Sequence, residues 1–449
     1  MPEPEALTRA RCREIFERVE RFSAADEVEI LLAGGRSALT RFANNIIHQN
    51  VEEETTVLSV RALVGQRTAR ATTNRLDDAS IRRVVEEATS MARLQAPDPE
   101  LLPVADPCSC DEVDRYDAAT AAASPRVRAE QVAKAVEVAK GQSLTAAGIF
   151  STGVSAEAIL NSRGLVAYHT QTRAEASITM TGADSSGWAK ANALRLEGVD
   201  LGALAERAAQ KAAASRQPDE IAPGRYTVVL EHAAVLDLLG FLAYDFSATA
   251  IRDQRSFLTG RVGKQVFGAN ITIRDDARHP LQSGSPFDGE GIPRKPLTLV
   301  DGGVVRDIAY SRQAARAAGV EPTGHGLPLP NEFGEVPVNI VFSGGETPVE
   351  QMIASTDRGI LVTRLWYIRE VDPYEKILTG MTRDGTFLIE AGAIRHGVRN
   401  FRFNQSMIEL LNHVEMLSPA ARAAGEEAFE MVVPAVKAGA FHFTEVTKF

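Results

Sequence analysis

Apolar side chains recur every three or four positions in several segments of the chain, and this spacing predicts helices. Cys12, Ile15, Val19 and Phe22 share one face of the first such helix, which indicates that Cys12 is a core residue. The same spacing predicts helices over residues 81–94, 126–140 and 201–214 and an apolar helix over 232–246. Shorter helices are predicted over 312–318, 348–356, 404–414 and 419–429.

Other segments alternate between apolar and polar residues, which is typical of strands with one buried face. A strand with Val28, Ile30 and Leu32 is predicted to end at Gly34-Gly35. Further strands are predicted over 56–64, 67–73, 145–150, 156–161, 164–170, 174–182 and 226–230. Beyond residue 246 most segments are predicted to be strands separated by Asp-Gly and Gly-Gly turns.

The order helix, strands, helix occurs twice in the N-terminal half. Arg75-Leu76 precedes the closing helix of one unit and Arg195-Leu196 that of the other, which favours an internal repeat over about 1–100 and 120–215. A polar segment with Pro218, Pro223 and Gly224 predicts a domain boundary. We therefore expect an α+β fold: an N-terminal domain, 1–220, of two repeated helix–antiparallel strands–helix units, and a predominantly antiparallel β domain with packed helices, 225–449.

Composition narrows the classes of partner. The 449 residues carry a net charge of −10, so a nucleic acid is an unlikely default partner because phosphates would be repelled. No apolar stretch has the length of a membrane span, and the charged N-terminal segment lacks the apolar core of a signal peptide, so a cytoplasmic location is expected. Three cysteines, with Cys108 and Cys110 read as unpaired loop thiols, fit a reducing compartment.

Candidate chemistry is sparse. The sequence has no HExxH, Walker A or GxSxG motif. His232 and Asp237 lie at i and i+5, about 140° apart on an ideal helix, and could share a metal only if that helix were distorted. Asp288 and Glu290 in a glycine loop are either a pair for acid–base or metal chemistry or a capped turn. His325, between two glycines, is either a surface-loop or a pocket-lining residue.

Several short segments, in this order along the chain, resemble the TldD/PmbA family. They are Phe42-Ala43-Asn44-Asn45, Arg255-Ser256-Phe257-Leu258, Gly263-Lys264, Pro286-Phe287-Asp288-Gly289-Glu290-Gly291, Thr323-Gly324-His325 and Phe441-His442-Phe443-Thr444. The resemblance covers nearly the whole chain. It implies a pairing between a catalytic TldD-type metallopeptidase and a PmbA-type (TldE-type) partner.

The catalytic branch of that family carries HExxxH on the helix after the first strand of the C-terminal domain, together with a late cysteine ligand. At the corresponding positions this chain has Glu231, His232 and Leu236, and no cysteine follows Cys110. Leu236 offers no lone pair, and without three ligands nothing lowers the pKa of a bound water. The resemblance therefore implies a subunit without catalytic or metal-binding residues of its own.

The expected function is that of a non-catalytic subunit in a heteromeric zinc metallopeptidase complex that processes unfolded or modified peptides. The cofactor, zinc, is expected in the HExxxH-containing partner, and the chain alone is expected to form a homodimer if it associates with itself. Asp288, Glu290 and His325 are candidate peptide-channel residues. Two alternatives stay open: an active metallohydrolase with ligands around His232 and Asp237, and a non-enzymatic interaction module.

Overall fold

The structure is a computed structural model that describes residues 7–447. The predicted domain limits at residues 1 and 449 lie outside this range. None of the helices within 7–447 combines the length and the apolar character that a membrane crossing requires.

The N-terminal part is built on a six-stranded antiparallel sheet with the order β3-β2-β1-β4-β5-β6. Its first half contains α1 (Arg9–Phe22), β1 (Glu27–Ala43), β2 (Ile46–Val64), β3 (Arg67–Thr73) and α2 (Asp78–Leu94). Its second half contains α3 (Ala118–Ala121), α4 (Pro125–Gly141), β4 (Thr145–Asn161), β5 (Val166–Thr181), β6 (Ser186–Ala193) and α5 (Leu201–Ala214).

The two halves join through the antiparallel pair β1–β4, in which Leu31 is opposite Ile159 and Ala33 opposite Glu157. Each half runs helix, three strands, helix, although whether this reflects a duplication stays a prediction. Alternate residues of β1, from Val28 to Phe42, contact the long helices, so these helices all cover one face of the sheet. The opposite face is left for the C-terminal part of the chain.

The C-terminal part contains two further sheets, with the orders β10-β9-β8-β11-β18-β17 and β12-β7-β19-β15-β13-β14. The first half of this part contains β7 (Gly224–Leu230), α6 (His232–Leu239), α7 (Ala248–Arg252), β8 (Ile273–Asp275), β9 (Leu297–Asp301), β10 (Val304–Val305), α8 (Arg312–Ala318), β11 (Ile340–Phe342) and α9 (Val349–Ala354). The remainder are β12 (Arg358–Asp372), β13 (Ile377–Glu390), β14 (Ala393–Gly397), β15 (Phe401–Ser406), α10 (Met407–Asn412), β16 (Val414–Leu417), β17 (Ala421–Ala423), β18 (Met431–Val433) and β19 (Val436–Val446).

Most strand pairs in this part are antiparallel, while β7–β12 and β11–β18 are parallel. One large apolar core lies between the sheets and includes Leu230, Leu236, Phe342 and Phe403. The predicted α+β class is confirmed.

Several predicted boundaries are wrong. β1 continues through Gly34-Gly35, because both glycines pair with β2 and β4. β4 passes so close that a Cβ on Gly35 would lie 2.0 Å from the carbonyl oxygen of Val154. The four segments predicted within 145–182 are two long strands, β4 and β5. The helix predicted over 419–429 is absent; the described backbone there forms β17 and a turn held by Asp237. The apolar helix predicted over 232–246 changes at Gly240 into a 3₁₀ helix, Gly240–Phe246.

Candidate functional site

The candidate site lies where β7 leads into α6. β7 pairs with β12 on one side and with β19 on the other, so its end is held in the middle of a sheet. Glu231 occupies the N-cap position of α6, and its backbone N–H donates to the carbonyl of Val362 at 3.0 Å. A cavity of about 420 Å³ opens here, lined by Glu231 and His232 together with Lys190, Arg207, Lys211 and Arg422.

Glu231, the first residue of the predicted degenerate motif, takes part in an ion pair. The Lys211 ammonium, from α5, lies 2.7 Å from Oε2 of Glu231. Both side chains are about one-fifth to one-quarter exposed, at 19% and 25%. The Glu231 carboxylate is therefore already neutralised by a cation from the N-terminal part of the chain.

His232 is held against the segment that precedes β17. Its Nε2 lies 3.4 Å from Oγ of Ser418. Burial lowers the pKa of His232, and the positive charge of Arg207 lowers it further. The hydrogen bond to the Pro419 backbone and the negative charge of Glu231 oppose this shift. At neutral pH the imidazole is therefore neutral.

The remaining candidate ligands of α6 have structural environments. Leu236 is fully buried in the large apolar core. Asp237 is also fully buried, and its carboxylate accepts backbone N–H groups from Glu426, Glu427 and Ala428 at 3.0–3.3 Å. Burial raises the pKa of Asp237 to about 6, and these three hydrogen bonds oppose the shift. Asp237 thus holds the turn that follows β17.

This arrangement does not fit a zinc ion. Glu231 is paired with Lys211, Asp237 with three N–H groups, and Leu236 has no donor atom. Of these four residues only His232 is left as an available ligand, where zinc requires three or four. Within residues 7–447 there is no group of three or more His, Cys, Asp and Glu side chains that could hold a metal ion. The ligand set proposed around His232 and Asp237 is not assembled in this part of the chain.

The glycine loop that contains Asp288 and Glu290 is buried, with each side chain 3% exposed. Asp288 accepts the N–H groups of Glu290, Ile292 and Gly326 at 2.7–2.9 Å. Burial, followed by the charge of Asp288, raises the pKa of Glu290 to about 7. Burial likewise raises the pKa of Asp288. The loop is a capped turn in which two carboxyl groups are close enough to influence each other's ionisation.

His325 is a buried residue, 1% exposed, rather than part of a surface loop. Its Nε2 lies 3.1 Å from Oδ1 of Asp275, and its Nδ1 lies 2.9 Å from Oγ1 of Thr323. Of the three candidate peptide-channel residues, Asp288 lines a cavity against the N-terminal sheet, whereas Glu290 and His325 fasten loops. Their role in a peptide channel stays a prediction.

Sequence reasoning missed the cations of this site. Lys211 is separated by 20 residues from Glu231 and lies on an amphipathic helix, where a lysine is usually solvated. Lys190, on β6, donates to the carbonyl of Gly425 at 2.9 Å. No local motif distinguishes either residue, because the packing of α5 and β6 against the C-terminal part creates their contacts.

Family models cover most of the chain. The PmbA/TldA metallopeptidase C-terminal domain matches residues 223–445, domain 1 matches 28–92 and the central domain matches 111–216. A metalloprotease PmbA homolog of Haemophilus influenzae is 23% identical over 87% of this chain and 86% of its own length. A metalloprotease of Methanothermobacter thermautotrophicus is 24% identical over 60% of this chain and 62% of its own length.

Two other curated relatives align over only 24% and 43% of their lengths, so with the Methanothermobacter protein three of these relatives are spanned over less than two thirds of their length. The fold is shared with the crystal structure of TldE from Thermococcus kodakarensis, which is 22% identical, covers 97% of this chain and 100% of that one, and superposes with a TM-score of 0.86. The resemblance seen in the sequence is confirmed: the chain belongs to the PmbA/TldD metallopeptidase family.

Proposed function

We propose that this chain is the non-catalytic, TldE-type subunit of a heteromeric zinc metallopeptidase complex. In that complex a TldD-type paralogue with an intact HExxxH motif holds the zinc ion and performs the hydrolysis. This chain completes the enclosure in which unfolded or modified peptides are processed. Membership of a metallopeptidase family and a shared fold with a protein named TldE support this proposal.

The observation that carries the proposal is the ion pair between Lys211 and Glu231 at 2.7 Å. A metal ligand at this position would have to bring its lone pair to a dication, but here an ammonium already occupies the carboxylate. The positive charge of Lys211 and of the nearby Arg207 also opposes the approach of a second cation. A nucleophilic water needs a metal to lower its pKa, so the chain has no means of activating one here.

Co-expression with an HExxxH paralogue tests the proposal. The two chains should co-purify as a mixed oligomer in light scattering, and elemental analysis should find zinc with the complex but not with this chain alone. A stoichiometric zinc in the isolated chain, together with peptide cleavage, would favour the alternative of an active metallohydrolase. Failure of the two chains to associate would overturn the subunit assignment.

Matched substitutions assign the chemistry to one chain. Replacement of the motif glutamate of the paralogue by glutamine should abolish cleavage by the complex. His232→Ala in this chain should leave both cleavage and zinc content unchanged, because in this proposal the zinc ligands all belong to the paralogue. Loss of cleavage in a His232→Ala complex that still assembles and still holds zinc would contradict a non-catalytic role.

A further inference from the structure

Two thiols lie next to each other in the segment that connects α2 to α3. Cys108 and Cys110 are separated by Ser109, and both are free cysteines. Residues 105–117 contain no helix, strand, turn or bend, so the backbone there is extended. In an extended chain the side chains of residues i and i+2 point to the same side. The two sulfur atoms therefore face the same neighbour.

That neighbour is the glycine loop of the C-terminal part, residues 286–291. Sγ of Cys108 lies 3.3 Å from the carbonyl oxygen of Gly291. Sγ of Cys110 lies 3.9 Å from the carbonyl oxygen of Pro286. A thiol is a weak hydrogen-bond donor, so either sulfur can exchange this contact for a stronger one at little cost.

The pair is accessible but is not ionised. Cys108 is exposed and Cys110 is half-buried, whereas the third cysteine, Cys12, is buried on α1. Burial and then the charge of Asp288 raise the pKa of Cys108. Burial also raises the pKa of Cys110 to about 12, and the charges of Cys108 and Asp288 add to this shift. The thiolate is the form that reacts with disulfides and binds metals, so only a partner with a high affinity for sulfur can displace these protons.

Two arginines provide positive charge beside the thiols. Arg312 lies near Cys108 and Arg278 lies near Cys110, and the charge of each arginine lowers the pKa of its neighbouring thiol. Arg278 also forms an ion pair with Asp111 at 2.7 Å. Two thiolates that hold one monovalent cation carry a single net negative charge, which the arginines offset.

The number of ligands selects the metal. Zinc requires four ligands in a structural site, and iron–sulfur clusters likewise require four, whereas only two thiols are adjacent here. The part of the chain that the structure describes supplies no third His, Cys, Asp or Glu side chain to such a site. Soft thiolate ligands select monovalent copper, for which two sulfur atoms in line form a complete ligand set.

We propose that Cys108 and Cys110 bind one monovalent copper ion in a two-coordinate, all-sulfur site. On binding, both S–H bonds break, two copper–sulfur bonds form, two protons pass to solvent and the copper stays monovalent. The site uses no residue of α6 and requires neither zinc nor a partner subunit, so it is independent of the function proposed above.

Titration of the reduced full chain with Cu(I) held as its bicinchoninate complex, in the absence of oxygen, tests the proposal. The wild type should remove one equivalent of copper from the indicator. Cys108→Ser and Cys110→Ser should each abolish this transfer, because a single thiolate remains. Cys12→Ala removes a thiol elsewhere and Ser109→Ala changes the residue between the ligands. Both are matched controls and should bind copper like the wild type.

Two further measurements distinguish this site from adventitious binding. Because two protons are released, the apparent affinity should rise about a hundredfold between about pH 6 and about pH 7, after correction for protonation of the indicator, whereas binding by one thiol gives about tenfold. X-ray absorption should show two sulfur neighbours and no nitrogen or oxygen ligand. The proposal is overturned if the wild type takes up no copper, if either cysteine variant, folded by circular dichroism, still takes up one equivalent, or if only one proton is released.

Discussion

The buried carboxyl pair of Asp288 and Glu290 should make the stability of the protein fall as pH rises, and Glu290→Gln should remove most of that dependence. Glu290 Oε2 accepts the backbone N–H of Arg312 at 2.9 Å, while Oε1 has no hydrogen-bond partner. Glutamine keeps the shape and the accepting oxygen but cannot ionise. The substitution therefore changes the charge with little change in packing.

The magnitude follows from the shift in pKa. The pKa of Glu290 rises from its ordinary value of 4.5 to about 7, chiefly through burial and then through the charge of Asp288. Because the folded-state pKa is raised, the stabilisation is fully present below about pH 4.5 and is lost as pH rises through about 7. At about 1.4 kcal/mol per pKa unit, the wild type should lose about 2–3 kcal/mol more than Glu290→Gln between about pH 5 and about pH 8.

Urea unfolding at these two pH values, followed by the fluorescence of Trp188 and Trp366, measures this difference. Wild type and Glu290→Gln should converge in free energy of unfolding near pH 5, with Glu290→Gln more stable at pH 8. Glu53→Gln, at an exposed position, should keep the pH dependence of the wild type. Equal pH dependence in the wild type and Glu290→Gln would refute the reasoning, because it would mean that Glu290 ionises normally in the folded protein.

Three further predictions test the local structure. Leu236→His should leave the isolated chain without stoichiometric zinc in elemental analysis, because Glu231 stays paired with Lys211; one bound zinc per chain would contradict this. Asp237→Ala leaves three partly buried N–H groups without their acceptor and should lower the free energy of unfolding in urea by about 1–3 kcal/mol, whereas Asp237→Asn, which keeps an acceptor, should cost less. Gly324→Ala should lower the melting temperature far more than Gly65→Ala. Both glycines have a positive φ, +76° for Gly324 and +58° for Gly65, so both variants share the backbone strain. A Cβ on Gly324 would lie 2.1 Å from the Pro293 carbonyl oxygen, whereas one on Gly65 would meet nothing within 4 Å. Equal melting temperatures for the two glycine variants would show that the loop around Gly324 can relax.

Local patterns in the sequence identified the helices with a clear apolar face. The predicted α5 and α8 have the boundaries Leu201–Ala214 and Arg312–Ala318 that the structure has. The 3.6-residue repeat is a local property, so a helix with a clear stripe can be recognised without its neighbours. The family resemblance could also be recognised along the chain, while the replacement of a metal-binding motif by Glu231, His232 and Leu236 stays a prediction.

Strand lengths depended on contacts between distant segments. Gly34-Gly35 indicates a strand end when only neighbouring residues are considered, yet β1 continues because both glycines pair with β2 and β4. The close approach of β4 leaves no room for a side chain on Gly35. Residues 419–429 were predicted to be helical, but pairing of β17 with β18 and the hydrogen bonds to Asp237 give them another structure. Pairing energy between strands is non-local, so it overrides the preference of a short segment.

The candidate functional sites likewise have some properties that the sequence determines and others that depend on contacts between distant segments. Sequence alone determined that Leu236 cannot be a metal ligand, because a residue that lacks a donor atom lacks it in any fold. Only the tertiary structure decided that Lys211 neutralises Glu231, that His325 is buried against Asp275, and that Cys108 and Cys110 lie against one loop of the C-terminal part. Such contacts join residues far apart in the chain, and the fold brings them together through the burial of apolar surface around them.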